Sequence, residues 1–395
     1  MARSRTVIIA GAGIGGLTCA LALIRAGFRA VVLEQAEALE PVGAGIQLAP
    51  NATRILIGLW VAEALAPLTV APEEMRVMRG HNAHEIVRGT IGADAAFRYG
   101  APYWLVHRGD LQSALLARLR ASRDGALHLG RRVEDFAVHA HGVTVVTHTR
   151  AGQRDEHGMA LIGADGLWSR VRSRVGDDAP AKFTGRTAWR ALVPADLVPL
   201  PFREPITWLW LAPQAHLVHY PVRGGTAINI VAIVRDTWQS REWSEPGTPA
   251  DILKRFSRWA AEPRALIALP DAWAKWALFE RAALRTWSVG PVTLLGDAAH
   301  PALPFLAQGA AMAIEDAAVL ADCLASSPDQ PAAAFVAYEG KRRPRAQRVT
   351  VESRFNGTVY HLRGPAALAR NLALGTLSGE RLLRRYDWLY DWRPE

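Results

Sequence analysis

Apolar residues follow different spacings in different parts of the chain, and the changes of spacing mark its elements. Thr6-Val7-Ile8-Ile9-Ala10 is an apolar run, β-branched at its start, that passes directly into Gly11-Ala12-Gly13-Ile14-Gly15-Gly16. Leu17, Leu21 and Ile24 then recur at helical spacing, Gly27 closes the helix, and Ala30-Val31-Val32-Leu33-Glu34 is a second strand ending in an acid. Strand, glycine turn, helix and strand thus fill the start of the chain. Pro41 to Asn51 is too broken for a helix and too apolar for a solvated linker, which predicts a buried loop near a ligand. Ala52 to Ala66 has helical spacing, and Met75 to Gly100 predicts polar strands and turns. A helix from His107-Arg108 to about Ala121 carries Leu111, Leu115, Leu116 and Leu119 on its apolar side. Alternation through Val143-Thr144-Val145-Val146 and the run Met159 to Gly163 predict a meander returning to the first sheet.

From Lys182 to Leu284 the texture changes to many Trp and several Pro, with β-like runs Trp208 to Val222 and Thr226 to Val234. Arg223-Gly224-Gly225 between them is a hairpin signal in what reads as a separate sheet. Pro291 to Leu295 is one more apolar strand, followed by helices over Gly309 to Ala325 and Ala332 to Thr350. The basic, aromatic tail from Ser378 to Glu395 reads as a surface helix with an irregular end. The expected fold is α/β. It combines a Rossmann-like domain over 1–70, 101–181 and 285–350 with an interleaved substrate domain on a mainly antiparallel sheet over 71–100 and 182–284. A C-terminal helical segment covers 351–395.

Composition changes this picture little. With 395 residues, half of them hydrophobic, the chain can bury a core for two domains. Its net charge of +9 is scattered rather than gathered into a stripe, and only four of 46 basic residues are Lys, which argues against nucleic acid. A positive surface still favours anionic small molecules. Cys19 and Cys323 give neither a disulfide framework nor a metal cluster, so the expected metal content is none. No run reaches the roughly 18 apolar residues of a membrane span, and the expected location is cytoplasmic.

The opening unit is built to bind a dinucleotide. Gly11 permits the tight turn, Gly13 lets the backbone approach a pyrophosphate, and Gly16 allows close helix–strand packing. The helix N-terminus offers free amides to phosphate. Glu34, eighteen residues beyond Gly16, would accept hydrogen bonds from a ribose. A carboxylate there favours a free 2′-hydroxyl, which leaves FAD and NAD both open.

Two later motifs narrow the choice: Gly163-Ala164-Asp165-Gly166-Leu167-Trp168-Ser169-Arg170-Val171-Arg172 and Gly296-Asp297-Ala298-Ala299-His300-Pro301. With the opening glycines they resemble the three fingerprints of the FAD-dependent aromatic hydroxylases, the single-component flavoprotein monooxygenases related to para-hydroxybenzoate hydroxylase. Asp165-Gly166, Ser169 and Arg172 match that family's DGxxSxxR pattern, and Gly296-Asp297 with His300-Pro301 matches its GD motif. The resemblance implies non-covalent FAD, with Asp297 on the ribityl hydroxyls, Pro301 stiffening the turn, and Gly309 and Ala310 opening a helix toward the pyrimidine ring. It assigns Arg108 to the phosphates or ribityl chain, Gly45 to the cofactor, and Asp165 and Arg172 a part in FAD and NAD(P)H handling. NADH or NADPH is expected as a transient co-substrate at the surface, since the sequence has no second GxGxxG unit.

Within that family, His216-Leu217-Val218-His219-Tyr220-Pro221-Val222 looks like the substrate-lining strand of the salicylate, 3-hydroxybenzoate and 6-hydroxynicotinate hydroxylase branch. Period-two geometry puts His216, Val218 and Tyr220 on one face and His219 on the other. A four-residue separation spans roughly 13 Å, so His216 and Tyr220 bracket a ring without touching each other. They are the candidate catalytic pair. Gln47, Arg190 and Phe305 are candidate substrate contacts, with Arg190 open to an anion clamp or a structural ion pair. Where members of this branch often place His or Gln, the chain reads Ala302-Leu303-Pro304-Phe305, an apolar wall.

The resemblance implies an NAD(P)H- and O2-consuming monooxygenase that hydroxylates a small aromatic hydroxy acid through a flavin hydroperoxide. A same-scaffold epoxidase, a hydroxylase of a quinone-type substrate, and a flavin-binding redox-responsive protein are the alternatives. Expected partners are a small aromatic acid and O2, with no nucleic acid and no membrane, and a homodimer is left open.

Overall fold

The computed structural model describes residues 5–39, 43–176, 179–240 and 242–394. The apolar runs at the start of the chain assemble a sheet in the order Ser288–Val289, Val292–Leu294, Ala160–Gly163, Thr6–Ala10, Arg29–Leu33, Gly125–His128. All its pairings are parallel except that of Ser288–Val289 with Val292–Leu294. Its central strands Thr6–Ala10, Ala160–Gly163 and Val292–Leu294, buried on both faces, read as near-continuous apolar runs. Helix Ile14–Arg25 packs between helices Arg108–Arg120 and Gly309–Ser326. The expected meander is a three-stranded antiparallel sheet of Arg132–His139, Gly142–Thr149 and Gly152–Gly158.

The second sheet has eight strands in the order Ser244–Gly247, Trp273–Glu280, Lys182–Pro194, Ala227–Arg235, Ala215–Val222, Ile206–Ala212, Glu74–Arg79, Glu85–Thr90. Only Ile206–Ala212 with Glu74–Arg79 is parallel. Alternation along these strands separates two faces. Trp189, Trp208, Trp210, Leu217, Ile228 and Ile230 form one core with Ile252, Phe256, Leu266 and Ile267 of two covering helices. The opposite face carries Ala188, Leu209, Leu211 and Ile233 and packs against Leu303, Phe305 and Tyr360 of the nucleotide-binding half.

Several expectations need correction. The run Trp208 to Val222 is two strands, because the chain reverses at Pro213-Gln214, where Gln214 takes φ 63°. Met75 to Gly100 includes a helix, Gly92–Tyr99, anchored by buried Ala95 and Tyr99 and stopped by Gly100 at φ 70°. The stretch expected as a loop contains strand Gly45–Leu48, paired with Trp104–His107, while residues 41 and 42 lie outside the described residues. The helix expected over Ala52 to Ala66 is interrupted after Gly58, where Trp60 takes φ 56°. The last long helix runs Pro331–Tyr360, beyond Thr350, carrying the nucleotide-binding half toward the large sheet.

The tail is not a surface helix with an irregular end. Leu389 and Tyr390 are buried, Tyr99 and Tyr103 pack edge-on against Tyr390, and Arg345 donates to the Trp388 and Leu389 carbonyls at 3.0 and 2.9 Å. Burying the tail's aromatic rings gains more than solvating them. Among the described residues no helix is long and apolar enough to cross a membrane, and no His, Cys, Asp or Glu cluster could hold a metal ion.

Candidate active site

The strand ends and glycine turn of the first sheet open into a cavity of about 690 Å³ that reaches the large sheet. Gly11 takes φ +103°, and a Cβ there would lie 2.5 Å from the Ala164 carbonyl oxygen, so only glycine makes this turn. At Gly13 a Cβ would meet nothing within 4 Å, leaving open cavity beside the backbone. The helix that follows has no side-chain cap, so its first amides remain available to an anion. Glu34 is held at the strand end: one carboxylate oxygen accepts the Ala12 amide at 2.8 Å and the other the Ala36 amide at 2.9 Å. Both oxygens keep lone pairs for a ribose.

Arg108, Asp165, Asp297 and Pro301 also border the cavity. The Asp297 side chain is exposed at the 3-10 turn Gly296–Ala298 and lines the cavity. An uncapped helix start, an acid on each of two strand ends and an arginine on the facing wall suit the phosphates, ribose and polyol chain of FAD. Of the glycines and alanine assigned to the cofactor, Gly16 packs the turn while Gly45, Gly309 and Ala310 do not line the cavity. Gly16 lies behind the turn, where a Cβ would approach the Gly11 carbonyl oxygen to 2.0 Å, so its role is packing, as expected. Gly45 packs against Tyr220 and Asn229 and donates its amide to Asn229 Oδ1 at 2.7 Å. Gly309 and Ala310 open their helix without bordering the cavity.

The DG motif has a structural role the residues alone do not reveal. Asp165 Oδ2 accepts the Arg170 amide at 2.8 Å, and Ser169 Oγ accepts the Arg172 amide at 2.9 Å, capping helix Arg170–Val175. The Arg172 guanidinium, 1% exposed, donates to the carbonyls of Ala298 and Ala299, each at 3.0 Å, and to Ala282 at 2.6 Å. It is thereby tied to the GD loop rather than offered to a nucleotide at the surface. The same loop is braced from behind. Asp316 accepts from Gly296 N at 3.0 Å and Arg342 Nε at 2.7 Å and pairs with His300 Nε2 at 2.6 Å. Against the upward push of burial, His300 and Arg342 hold the Asp316 carboxyl down to about 2. Neighbouring Glu315 is held by Arg342 and Arg345. The acidic pair Glu315-Asp316 among the buried apolar positions of helix Gly309–Ser326 was the sequence signal for this network.

On the large sheet, His216 and Tyr220 share the face turned to the nucleotide-binding half, and His219 lies on the other. His219 stacks on Trp208 and Trp210 with both ring nitrogens unpartnered, and burial pulls its pKa down to about 3. Register places Arg190 opposite Val231 and Val231 opposite Val218, so Arg190 lies in the row between His216 and Tyr220. Arg190 borders the cavity, but His216, Tyr220 and Phe305 are buried and Gln47 half-buried, none of them among its lining residues. Tyr103 donates its hydroxyl to Gln47 Oε1 at 2.8 Å. Burial raises the Tyr220 hydroxyl well above its ordinary range, with Arg190 and Gln47 acting against it.

Arg190 Nε has no hydrogen-bond partner, and no carboxylate pairs with Arg190 among the described residues. Its guanidinium lies 4.4 Å from the ring centroid of Trp276, and burial lowers its pKa to about 10. The ion-pair alternative for Arg190 is therefore not what the structure contains. His216 meets Phe305 at 5.6 Å between ring centroids, and its Nδ1 lies 2.8 Å from Nε2 of His361. His361, Asn229 and Trp276 had no motif to mark them, since each reaches the site only through the sheet register or the end of the last long helix.

The FAD-binding-domain family model matches residues 4–353. The chain is 38% identical over 390 residues to 3-amino-4-hydroxybenzoate 2-monooxygenase of Streptomyces platensis, covering 98% of this chain and 96% of that protein. It is 36% identical over 385 residues to 3-hydroxybenzoate 6-hydroxylase 1 of Aquipseudomonas alcaligenes, covering 97% of each. A solved salicylate hydroxylase substrate complex superposes with a TM-score of 0.82 at 26% identity, over 98% of this chain and 95% of that one. The cavity, the two acids at its strand ends and the matched motifs agree with this likeness along the whole chain: it belongs to the FAD-binding-domain family and is an FAD-dependent monooxygenase.

Proposed function

We propose that the chain hydroxylates a small phenolic acid whose carboxylate is held by Arg190 and whose ring hydroxyl faces His216 and Tyr220. The observation that carries this reading is the unpaired Arg190 guanidinium at the cavity wall. A cation withdrawn from water without a counter-ion is costly, and an incoming carboxylate removes that cost while gaining bidentate hydrogen bonds. The Trp276 ring 4.4 Å from the guanidinium helps hold that planar fork in place. The names of the relatives, hydroxybenzoate and aminohydroxybenzoate oxygenases, support the same substrate class.

Bound FAD supplies the redox chemistry, taking electrons from NAD(P)H and activating O2. The chain's own residues position the ring and manage its proton. With Nδ1 engaged by His361, Nε2 is the His216 atom left to accept the phenolic proton, and removing it makes the ring more nucleophilic. The apolar wall at Leu303 and Phe305 excludes water. The test is a screen of purified, FAD-loaded protein for acceleration of NADH or NADPH oxidation by hydroxybenzoates, salicylate and hydroxynicotinates, with products identified by mass. A hydroxylated acid is the expected result. Hydrogen peroxide as the sole product with every acid would reject the reading.

A further inference from the structure

His216 is a difficult place to leave a proton. It is 2% exposed, and the groups facing it are His361 and Tyr360 at the end of helix Pro331–Tyr360, Phe305 from the loop after the GD motif, and Arg186 from strand Lys182–Pro194. The same Arg186 guanidinium sits 5.5 Å from the Phe305 ring centroid. An imidazolium formed here would be buried beside a fixed cation, and among the described residues no carboxylate pairs with it. Burial, His361 and Arg186 together pull the His216 pKa well below 6.5. Among the described residues the one polar group within hydrogen-bond distance of its ring is His361, at 2.8 Å from Nδ1.

We propose that His361 is a positioning residue that relays the substrate proton from His216 to solvent, so that His216 never carries a full charge. The inference rests on the reading of His216 as the atom that takes the phenolic proton. As the phenol O–H breaks, that proton bonds to His216 Nε2, and the proton on His216 Nδ1 passes to His361 Nε2. The proton on His361 Nδ1 goes to water, so one proton leaves the substrate, one reaches solvent, and both imidazoles end neutral. His361 suits the exit because it is only partly buried, whereas His216 is enclosed. Arg186 and Arg370 face His361 and add to its burial in keeping it neutral, with a pKa lowered to about 4. The proton it receives is therefore passed on rather than stored.

The experiment uses FAD-loaded enzyme with 3-hydroxybenzoate as the probe. It measures proton release on ligand binding with a pH indicator in weak buffer, then hydroxylation and peroxide release on adding NADH or NADPH. His361→Gln keeps an acceptor for His216 Nδ1 but cannot pass a proton. It should retain FAD and probe affinity, lose the proton-release signal, and hydroxylate about a hundredfold more slowly, the low end of what a positioned base contributes. Added imidazole should restore His361→Ala in proportion to its neutral fraction, which a merely structural loss would not allow. His361→Gln at wild-type rate with wild-type proton release, alongside an impaired His216→Gln, overturns the relay alone. His216→Gln at wild-type rate overturns the reading of His216 on which the relay rests.

Discussion

The guanidinium of Arg172 donates to the carbonyl oxygen of Ala298 at 3.0 Å, joining two motifs that lie more than a hundred residues apart. The residue that ends the DG motif thereby fixes the loop that presents Asp297. Arg172→Met should leave the two buried carbonyls of Ala298 and Ala299 without this donor, at about 1 to 3 kcal/mol each. The expected outcome is a lower melting temperature, weaker FAD retention and faster amide exchange around 296–300. NADH or NADPH affinity well below wild type with FAD retention and melting unchanged would instead assign Arg172 to the reductant.

Asp297→Ala and Glu34→Ala should each weaken FAD binding by roughly 1 to 3 kcal/mol, as expected for charged hydrogen-bond acceptors. That is roughly fivefold to more than a hundredfold in dissociation constant. Because Glu34 also accepts the Ala12 and Ala36 amides, Glu34→Ala should loosen the turn before the helix, whereas Asp297→Ala should leave that turn intact. Fluorescence titration with FAD reads the affinity, and unchanged constants in both variants would contradict the assigned cleft.

Arg190→Met should raise the dissociation constant of carboxylate-bearing phenols by about tenfold to a hundredfold, the worth of a charge-assisted hydrogen bond. Phenols without a carboxylate should bind it as they bind the wild type. Arg190→Lys should recover little, because an ammonium cannot reproduce the planar fork over Trp276. Equal loss for neutral and anionic ligands would mean that Arg190 shapes the pocket instead of reading the carboxylate.

His219 should matter for stability and not for turnover. Its folded pKa of about 3 lies below the ordinary His value, so between those two values the unfolded state binds more protons. Stability from this residue is therefore intact above about pH 6.5 and falls as pH drops through that window, by about 2 kcal/mol at pH 5. His219→Phe keeps an aromatic ring against Trp208 and Trp210 and removes the titration. Its denaturation midpoint should exceed wild type by more at pH 5 than at pH 8, with hydroxylation unchanged. An equal difference at both pH values would reject the linkage.

Much of this protein follows from local pattern. The strand–turn–helix–strand unit around Gly11, Gly13 and Glu34 is fixed by hydrophobic spacing and by positions only glycine can occupy, so short-range sterics suffice to place it. The separation of His216 and Tyr220 from His219 follows from the two-residue repeat of a strand alone. Leu209, Leu211 and their neighbours were legible as strand residues, though not the reversal at Gln214, where a non-glycine residue takes a left-handed conformation.

Other features were decided by contacts between segments distant in sequence. Arg190 stands in the row between His216 and Tyr220 only because three strands pair in one register, and among the described residues no packed element brings a carboxylate to it. His361 reaches His216 because the last long helix continues to Tyr360. Arg172 looked like a nucleotide contact and became a brace, since the carbonyls it satisfies come from two other stretches of chain. Local sequence specifies which residues can bend, alternate or cap, because those choices depend on near neighbours. The partner of a buried charge or of a ring nitrogen depends on long-range packing, and only the assembled tertiary structure supplies it.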